Sequence, residues 1–317
     1  MNEFSLIDQF FKPFPITRKE VLFGIGDDAA CLTVPEGFDL LVSTDTLVSG
    51  VHFLPEWDPF DIACKSVMVN VSDMAAMGAQ PCYITLALTL PELNESWLEK
   101  FSTGLKQSLK QFNIDLIGGD TTHGPLAITL TIMGLAPHKK AIRRSGAQSG
   151  DVIMVSGLLG AAALAVRSLN DPAVVPEDRE ILMNKLLHPV PRVDLIELIS
   201  NYATSAIDIS DGLSADLNHI CVASGVSACL DKTLIPIHPL LNKYCGGQAV
   251  DLALTGGDDY ELCFTVASSK SEQFLKEIND LKLKCYPIGI IEEGAGLKIK
   301  DSAREWEVLQ PKGYSHF

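Results

Sequence analysis

Five short segments of this chain run from apolar or small residues straight into aspartate. They are Gly-Ile-Gly-Asp-Asp at 24–28, Leu-Leu-Val-Ser-Thr-Asp at 40–45, Ile-Gly-Gly-Asp-Thr-Thr at 117–122, Ala-Ile-Asp-Ile-Ser-Asp at 206–211 and Thr-Gly-Gly-Asp-Asp-Tyr at 255–260. Glycine lets a backbone approach a ligand closely, and aspartate, serine and threonine supply the oxygen atoms that hard cations prefer. Five such turns predict several magnesium ions gathered around a polyphosphate. No Gly-x-x-x-x-Gly-Lys-Ser/Thr phosphate loop occurs in the chain, so nucleotide phosphates would be reached through metal bridges.

These segments need a scaffold, and its elements are legible as alternating strands and helices. Residues 38–43 read as a strand and 60–79 as a helix. Residues 82–90 and 126–136 alternate in the period of half-buried strands, with a helix over 94–112 between them. Residues 137–150 combine proline, glycine and a basic cluster within an acidic chain, and a domain boundary is expected there. Beyond it a strand at 151–156 and helices at 158–169, 177–187 and 192–203 are expected. A strand at 205–209 and a helix at 212–224 follow, then strands with a helix near 269–281. On the helix at 60–79, Ser66, Asn70, Asp73 and Met77 share one face while the other faces are almost wholly apolar, so the helix is buried. A buried aspartate needs partners. Asp73 is either a core hydrogen-bonding group or a carboxylate at a metal, and the second reading is preferred.

Length and charge bound the function. At 317 residues two domains are the expectation. Forty acidic against twenty-five basic residues give a formal charge of −15, which disfavours nucleic acid and anionic membranes as partners. The eight cysteines form no Cys-x-x-Cys pair and lie mostly in apolar stretches, the pattern of reduced core thiols in a cytoplasmic protein. The first residues carry acids and no basic run, unlike a signal peptide, and no apolar stretch is long enough to span a bilayer.

Taken in order, eight blocks carry a resemblance: Gly-Ile-Gly-Asp-Asp-Ala-Ala (24–30), Ser-Thr-Asp-Thr-Leu-Val-Ser-Gly-Val-His-Phe (43–53), Val-Asn-Val-Ser-Asp-Met-Ala-Ala-Met-Gly-Ala-Gln-Pro (69–81), Gly-Gly-Asp-Thr-Thr (118–122), Arg-Ser-Gly (144–146), Asp-Ile-Ser-Asp-Gly-Leu (208–213), Gly-Gly-Asp-Asp-Tyr-Glu-Leu (256–262) and Gly-Tyr-Ser-His-Phe (313–317). Each is weak alone, but together they span nearly the whole chain and resemble the thiamine-monophosphate kinase family, within a superfamily of ATP-using synthetases and dehydratases. The resemblance implies an α/β (α+β) fold of two domains. An N-terminal sheet-plus-helices domain (1–137) would bind ATP and metal and pair with a second copy into a barrel-like homodimer core. A linker (138–149) would lead to a C-terminal α/β domain (150–317). The implied reaction is phosphorylation of thiamine monophosphate by ATP with Mg²⁺, by direct in-line transfer. The alternatives are another synthetase or dehydratase of the superfamily, or a non-catalytic protein that binds magnesium nucleotide.

The same resemblance implies residue roles. Asp27, Asp28, Asp45, Asp73, Asp120, Asp208 and Asp211 would be metal ligands, with Ser43, Thr44 and Asp45 forming one metal-binding turn. Gly118, Gly119, Asp120, Arg144 and Ser210 would bind ATP, Arg144 by pairing a phosphate. His52, Asp258 and Tyr314 would contact thiamine monophosphate. Asp258 stands where the family pattern has glutamate, so its role could pass to Asp259. No catalytic base or covalent nucleophile is expected, because the acceptor is already an anionic phosphate oxygen.

Overall fold

The computed structural model describes residues 3–301 and 305–316. It divides into two compact units. The first is Met1–Ala75 with Ala79–Ala141, and the second is Ala76–Gly78 with Ile142–Phe317.

The first unit contains helix α1 (Glu3–Phe10), a small hairpin of β1 (Val21–Phe23) and β2 (Cys31–Leu32), then β3 (Phe38–Val48), α2 (Pro59–Ala76), β4 (Gln80–Leu90), α3 (Glu95–Phe112), β5 (Asp115–His123) and β6 (Ala127–Pro137). Its four-stranded sheet has the order β3-β6-β4-β5. Both β3 and β4 run antiparallel to β6, and β5 runs parallel to β4. Parallel strands require crossovers: α3 joins the neighbours β4 and β5, and α2 joins β3 to β4 past the intervening β6. Asn94 caps α3 by accepting the Trp97 amide at 3.0 Å, and Asn113 ends it in the left-handed region. Leu98, Phe101, Leu105, Leu109 and Phe112 form its buried stripe. The strongly alternating strands β4 and β6 are central, each paired on both sides. The edges of the sheet are therefore β3 and β5. Exposed Phe38, Leu40 and Val42 stand on one face of edge strand β3.

The second unit carries β7 (Val152–Val155), α4 (Ala161–Arg167), α5 (Pro176–Leu187), α6 (Ile196–Tyr202), β8 (Ala203–Asp208), α7 (Leu213–Ser224), β9 (Ser227–Asp231), α8 (Pro239–Cys245), α9 (Ala249–Thr255), β10 (Leu262–Val266), α10 (Ser268–Asp280), β11 (Tyr286–Glu292), β12 (Gly296–Lys300) and β13 (Glu307–Leu309). Its seven-stranded sheet has the order β13-β12-β9-β11-β7-β10-β8. Phe264 and Phe274 pack edge to face at 5.5 Å within a core that includes Met154, Leu195, Leu198, Ile199 and Ile278. Short helices α8 and α9 lie where the sequence suggested only strands. Among the described residues no helix is long and apolar enough to cross a membrane.

Candidate functional site

In the first unit the sheet register aligns two polar rows on one face. Thr44 pairs with Thr131, Thr131 with Thr85, and Thr85 with Gly118. The next row runs Thr46, Thr129, Ala87, Asp120. Threonine hydroxyls bridge the first strands of each row at 2.9 Å, Thr44 to Thr131 and Thr46 to Thr129. Over these rows opens a cavity of about 850 Å³, lined among others by Asp27, Asp28, Thr85, Gly118, Gly119 and Asp120, with α1 at its margin. Such a volume holds a nucleotide-sized ligand. The loop bearing Asp27 and Asp28 is tied to β5 through the segment before it. Buried Asp115, at the start of β5, accepts the Thr17 amide and hydroxyl and the Arg18 amide at 2.7–3.0 Å.

The Gly118-Gly119-Asp120 segment is strand and not turn, and its glycines have different causes. A Cβ on Gly119 would sit 2.0 Å from the Leu86 carbonyl oxygen, whereas one on Gly118 would meet only the Thr85 methyl at 3.8 Å. Gly119 lets β5 close on β4, while Gly118 leaves open space at the cavity.

A second polar group lies between β3 and α2. Residues 43–45, expected as a turn, are the interior of β3, so their side chains alternate. Ser43 and Asp45 face α2, where the Ser43 hydroxyl donates to Asp73 at 2.5 Å. Thr44 points to the opposite face with Thr131. Burial, then the neighbouring Asp73 carboxylate, pushes the Asp45 carboxyl up to about 6. By register Asp120 stands on the face opposite Asp45. The unit thus holds two polar groups, Asp27–Asp28–Asp120 and Ser43–Asp45–Asp73. Among the described residues no three His, Cys, Asp or Glu side chains converge as a ready-made metal cage. His52 lies in the loop after β3, where its Nδ1 accepts the Val48 amide at 3.0 Å.

The second unit assembles its own cluster from three segments. After β8 the chain passes Asp208, Ser210 and Asp211 into α7. The Ser210 carbonyl accepts the Asp258 amide at 2.8 Å, and the Asp211 carbonyl accepts the Tyr314 amide at 3.0 Å. Asp258 and Tyr260 both adopt positive φ, 66° and 49°, which aspartate tolerates better than most residues and tyrosine rarely. The Tyr260 hydroxyl donates to Asp258 at 3.1 Å. Asp259, the alternative substrate carboxylate, instead accepts the Gly160 amide ahead of α4. Burial holds its carboxyl well above the usual range, against the opposing pull of that amide. Arg144 is exposed, with its charge close enough to Asp216 to act on it.

Three supporting residues carried no sequence signal. Asp216, in the first turn of α7, accepts the amides of Asp211 and Gly212 at 3.1 and 3.0 Å, and burial pushes its carboxyl up to about 7. Arg192 pairs with Glu261 at 3.0 Å, and Ser156 donates to the same Glu261 oxygen at 2.5 Å. These contacts brace the Asp258–Glu261 loop. The one local cue was Glu261 itself, within the Gly-Gly-Asp-Asp-Tyr-Glu-Leu block.

Residues 26–136 match the N-terminal domain, and 148–302 the C-terminal domain, of AIR synthase related proteins. The chain is 44% identical over 322 residues to a thiamine-monophosphate kinase of Haemophilus influenzae, covering 100% of this chain and 98% of that protein. The crystal structure of thiamine-monophosphate kinase from Stenotrophomonas maltophilia K279a superposes with a TM-score of 0.87 at 45% identity, over 95% of this chain and 97% of that one. A solved structure of AaThiL complexed with AMPPCP and TMP gives a TM-score of 0.79 at 32% identity, over 90% of this chain and 89% of that one. On this sequence and structural likeness, the chain belongs to the thiamine-monophosphate kinase family, whose two domains are those of the AIR synthase related proteins.

Proposed function

We propose that the chain transfers the γ-phosphoryl group of ATP to the phosphate of thiamine monophosphate, giving thiamine diphosphate and ADP, with Mg²⁺ and by direct in-line displacement. The observation that carries the reading is the 850 Å³ cavity over the Gly118–Asp120 strand, edged by Asp27 and Asp28. It offers glycine backbone and oxygen side chains to a nucleotide in a family whose relatives bear the kinase name. In the step, an oxygen of the acceptor phosphate forms a bond to the γ-phosphorus while the bond to the bridging oxygen of ADP breaks.

The donor set fits magnesium: carboxylate and hydroxyl oxygens, with half-buried Asp45 and Asp73 near enough to repel one another. When bound, Mg²⁺ supplies the positive charge that lets two phosphate anions approach. Asp27, Asp28 and Asp120 would hold it at the cavity, and Ser43, Asp45 and Asp73 between β3 and α2, with Thr44 in the threonine row of the opposite face. Gly118 and Gly119 present backbone to ATP. In the second unit Asp208 and Asp211 serve as metal ligands, and Ser210 and Arg144 bind ATP phosphate. His52, Asp258 and Tyr314 recognise thiamine monophosphate. The exposed Phe38, Leu40 and Val42 on an edge strand favour a homodimer built by covering that face. Sedimentation at micromolar concentration should then give about twice the 34.3 kDa chain mass.

The deciding experiment incubates the protein with ATP, Mg²⁺ and thiamine monophosphate and separates the products by chromatography. Thiamine diphosphate and ADP should appear in equal amounts, and neither should form without Mg²⁺. ATP binding with no ADP release in the presence of thiamine monophosphate would refute the reading.

A further inference from the structure

Asn70, on α2, is fully buried, and its Oδ1 has no hydrogen-bond partner. The other end of the amide is fixed, because Nδ2 donates to the Ser66 carbonyl one turn earlier at 2.9 Å. Only an NH₂ can donate to that carbonyl, so the orientation is settled and Oδ1 turns away from the helix's own backbone. A buried amide oxygen left unpaired destabilises the fold by its uncompensated desolvation. Such a cost persists where a ligand satisfies the group in the working protein.

The topology places Asn70 along β3. Strands β3 and β4 are parallel, and α2 joins the end of one to the start of the other. It therefore runs antiparallel to β3. Asp73 meets Ser43 of β3, and Asn70 shares the face of Asp73 at a spacing of three residues. Moving back three helix residues covers about 4.5 Å, and moving forward two strand residues from Ser43 covers about 7 Å. Asn70 thus comes abreast of Asp45, on the side of β3 that Asp45 occupies.

We propose that Asn70 is a further cation-binding residue of this group, its Oδ1 joining Asp45, Asp73 and Ser43 around a divalent ion. The inference rests on the reading of Asp45 and Asp73 as cation-facing carboxylates and adds a neutral oxygen to them. An amide oxygen suits a hard cation and adds a ligand without adding to the repulsion between the two carboxylates.

The test is thermal melting of the purified, chelator-stripped chain against MnCl₂, with and without AMPPCP, for the natural sequence, Asn70→Leu, Asn70→Asp and Asp45→Asn. Without metal, Asn70→Leu should melt no lower than the natural protein, since the change removes an unpaired buried oxygen. It should need about tenfold more Mn²⁺ for the same rise in Tm, the loss usual when a supporting group of a metal site is removed. Asn70→Asp should melt lower without metal and need less Mn²⁺, and it decides the matter if Asn70→Leu does not fold. If Asn70→Leu, or in its absence Asn70→Asp, responds to Mn²⁺ as the natural protein does, including no response in either, Asn70 is a core residue and the inference is overturned. Should Asp45→Asn also leave the response unchanged, the failure lies in the cation reading of the carboxylate pair. A weakened response in Asp45→Asn alone confines the failure to Asn70.

Discussion

Both carboxylate oxygens of Asp259 accept the backbone N–H of Gly160, at 3.0 and 2.8 Å, while its neighbour Asp258 is held in the left-handed region with φ 66°. Two adjacent aspartates thus have separate duties. Asp259→Ala should strand the Gly160 amide and lower stability by roughly 1–3 kcal/mol, read as a fall in the denaturant midpoint. Asp258→Gly keeps the backbone conformation, since glycine adopts positive φ freely. It should melt at or above the natural protein while raising KM for thiamine monophosphate. Equal losses of stability in both variants would refute this division.

The paired glycines of β5 yield a second contrast. Gly119→Ala drives a Cβ into the Leu86 carbonyl, whereas Gly118→Ala meets an ordinary contact with Thr85. Gly119→Ala should therefore destabilise the protein by about 1–3 kcal/mol, the usual cost of overpacking. Gly118→Ala should fold as the natural protein does and bind ATP more weakly. Unaltered ATP affinity in folded Gly118→Ala, measured by calorimetry, would remove Gly118 from the nucleotide site.

Asp45 sets a pH dependence whose sign is opposite to that of an ordinary salt-bridged aspartate. Its folded-state value of about 6 lies above the usual 3.8, so between these values the folded chain binds more protons than the unfolded one. The stabilising contribution is fully present below pH 4 and is lost as pH rises through 6, amounting to roughly 3 kcal/mol. Chelator-stripped Asp45→Asn should accordingly be more stable than the natural protein at pH 7, and the difference should shrink at pH 4.5. Saturating Mg²⁺ should narrow the gap at pH 7 by stabilising the natural protein. A gap independent of pH between 4.5 and 7 would contradict the assignment.

Much of this arrangement was legible in the sequence. The alternation of 82–90 and 126–136 marks β4 and β6, and the i, i+4, i+7 spacing of Ser66, Asn70 and Asp73 marks one polar face of α2. Other features depend on tertiary pairing. Ser43, Thr44 and Asp45 look like a turn because small polar residues follow an apolar run. Pairing with β6 keeps them extended and sends Thr44 to the opposite face. Helices α8 and α9, seven residues each, are too short for a periodic signal, although His238-Pro239 is a helix start in its own right. Nothing local to Asp259 or Asp216 marks them as backbone acceptors. Their partners are Gly160, far along the chain, and a tight turn at Asp211–Gly212.

The C-terminal segment is docked along residues 312–314 and should act in substrate recognition. Ser214 on α7 donates its hydroxyl to the Lys312 carbonyl at 2.7 Å and accepts the Lys312 amide at 3.1 Å. Gly313 lies so close to Asp211 and Ala215 that a Cβ would fall 2.7 Å from each. Tyr314 is then fixed by its amide on the Asp211 carbonyl, with its half-exposed ring meeting His316 edge-on at 4.9 Å. Phe317 lies outside the described residues. A held, half-exposed aromatic ring suits the cationic thiazolium of thiamine, and such a contact contributes roughly 0.5–2 kcal/mol. Because the thiazolium does not react, the contact is equal in ground and transition states. Tyr314→Ala should thus raise KM for thiamine monophosphate by about 2- to 30-fold with kcat nearly unchanged, and leave ATP binding intact. Ser214→Ala, which loosens the clasp without touching the ring, should shift the same KM in the same direction by less. An unaltered KM in Tyr314→Ala would make the segment a structural brace for Asp211 and remove Tyr314 from the substrate site.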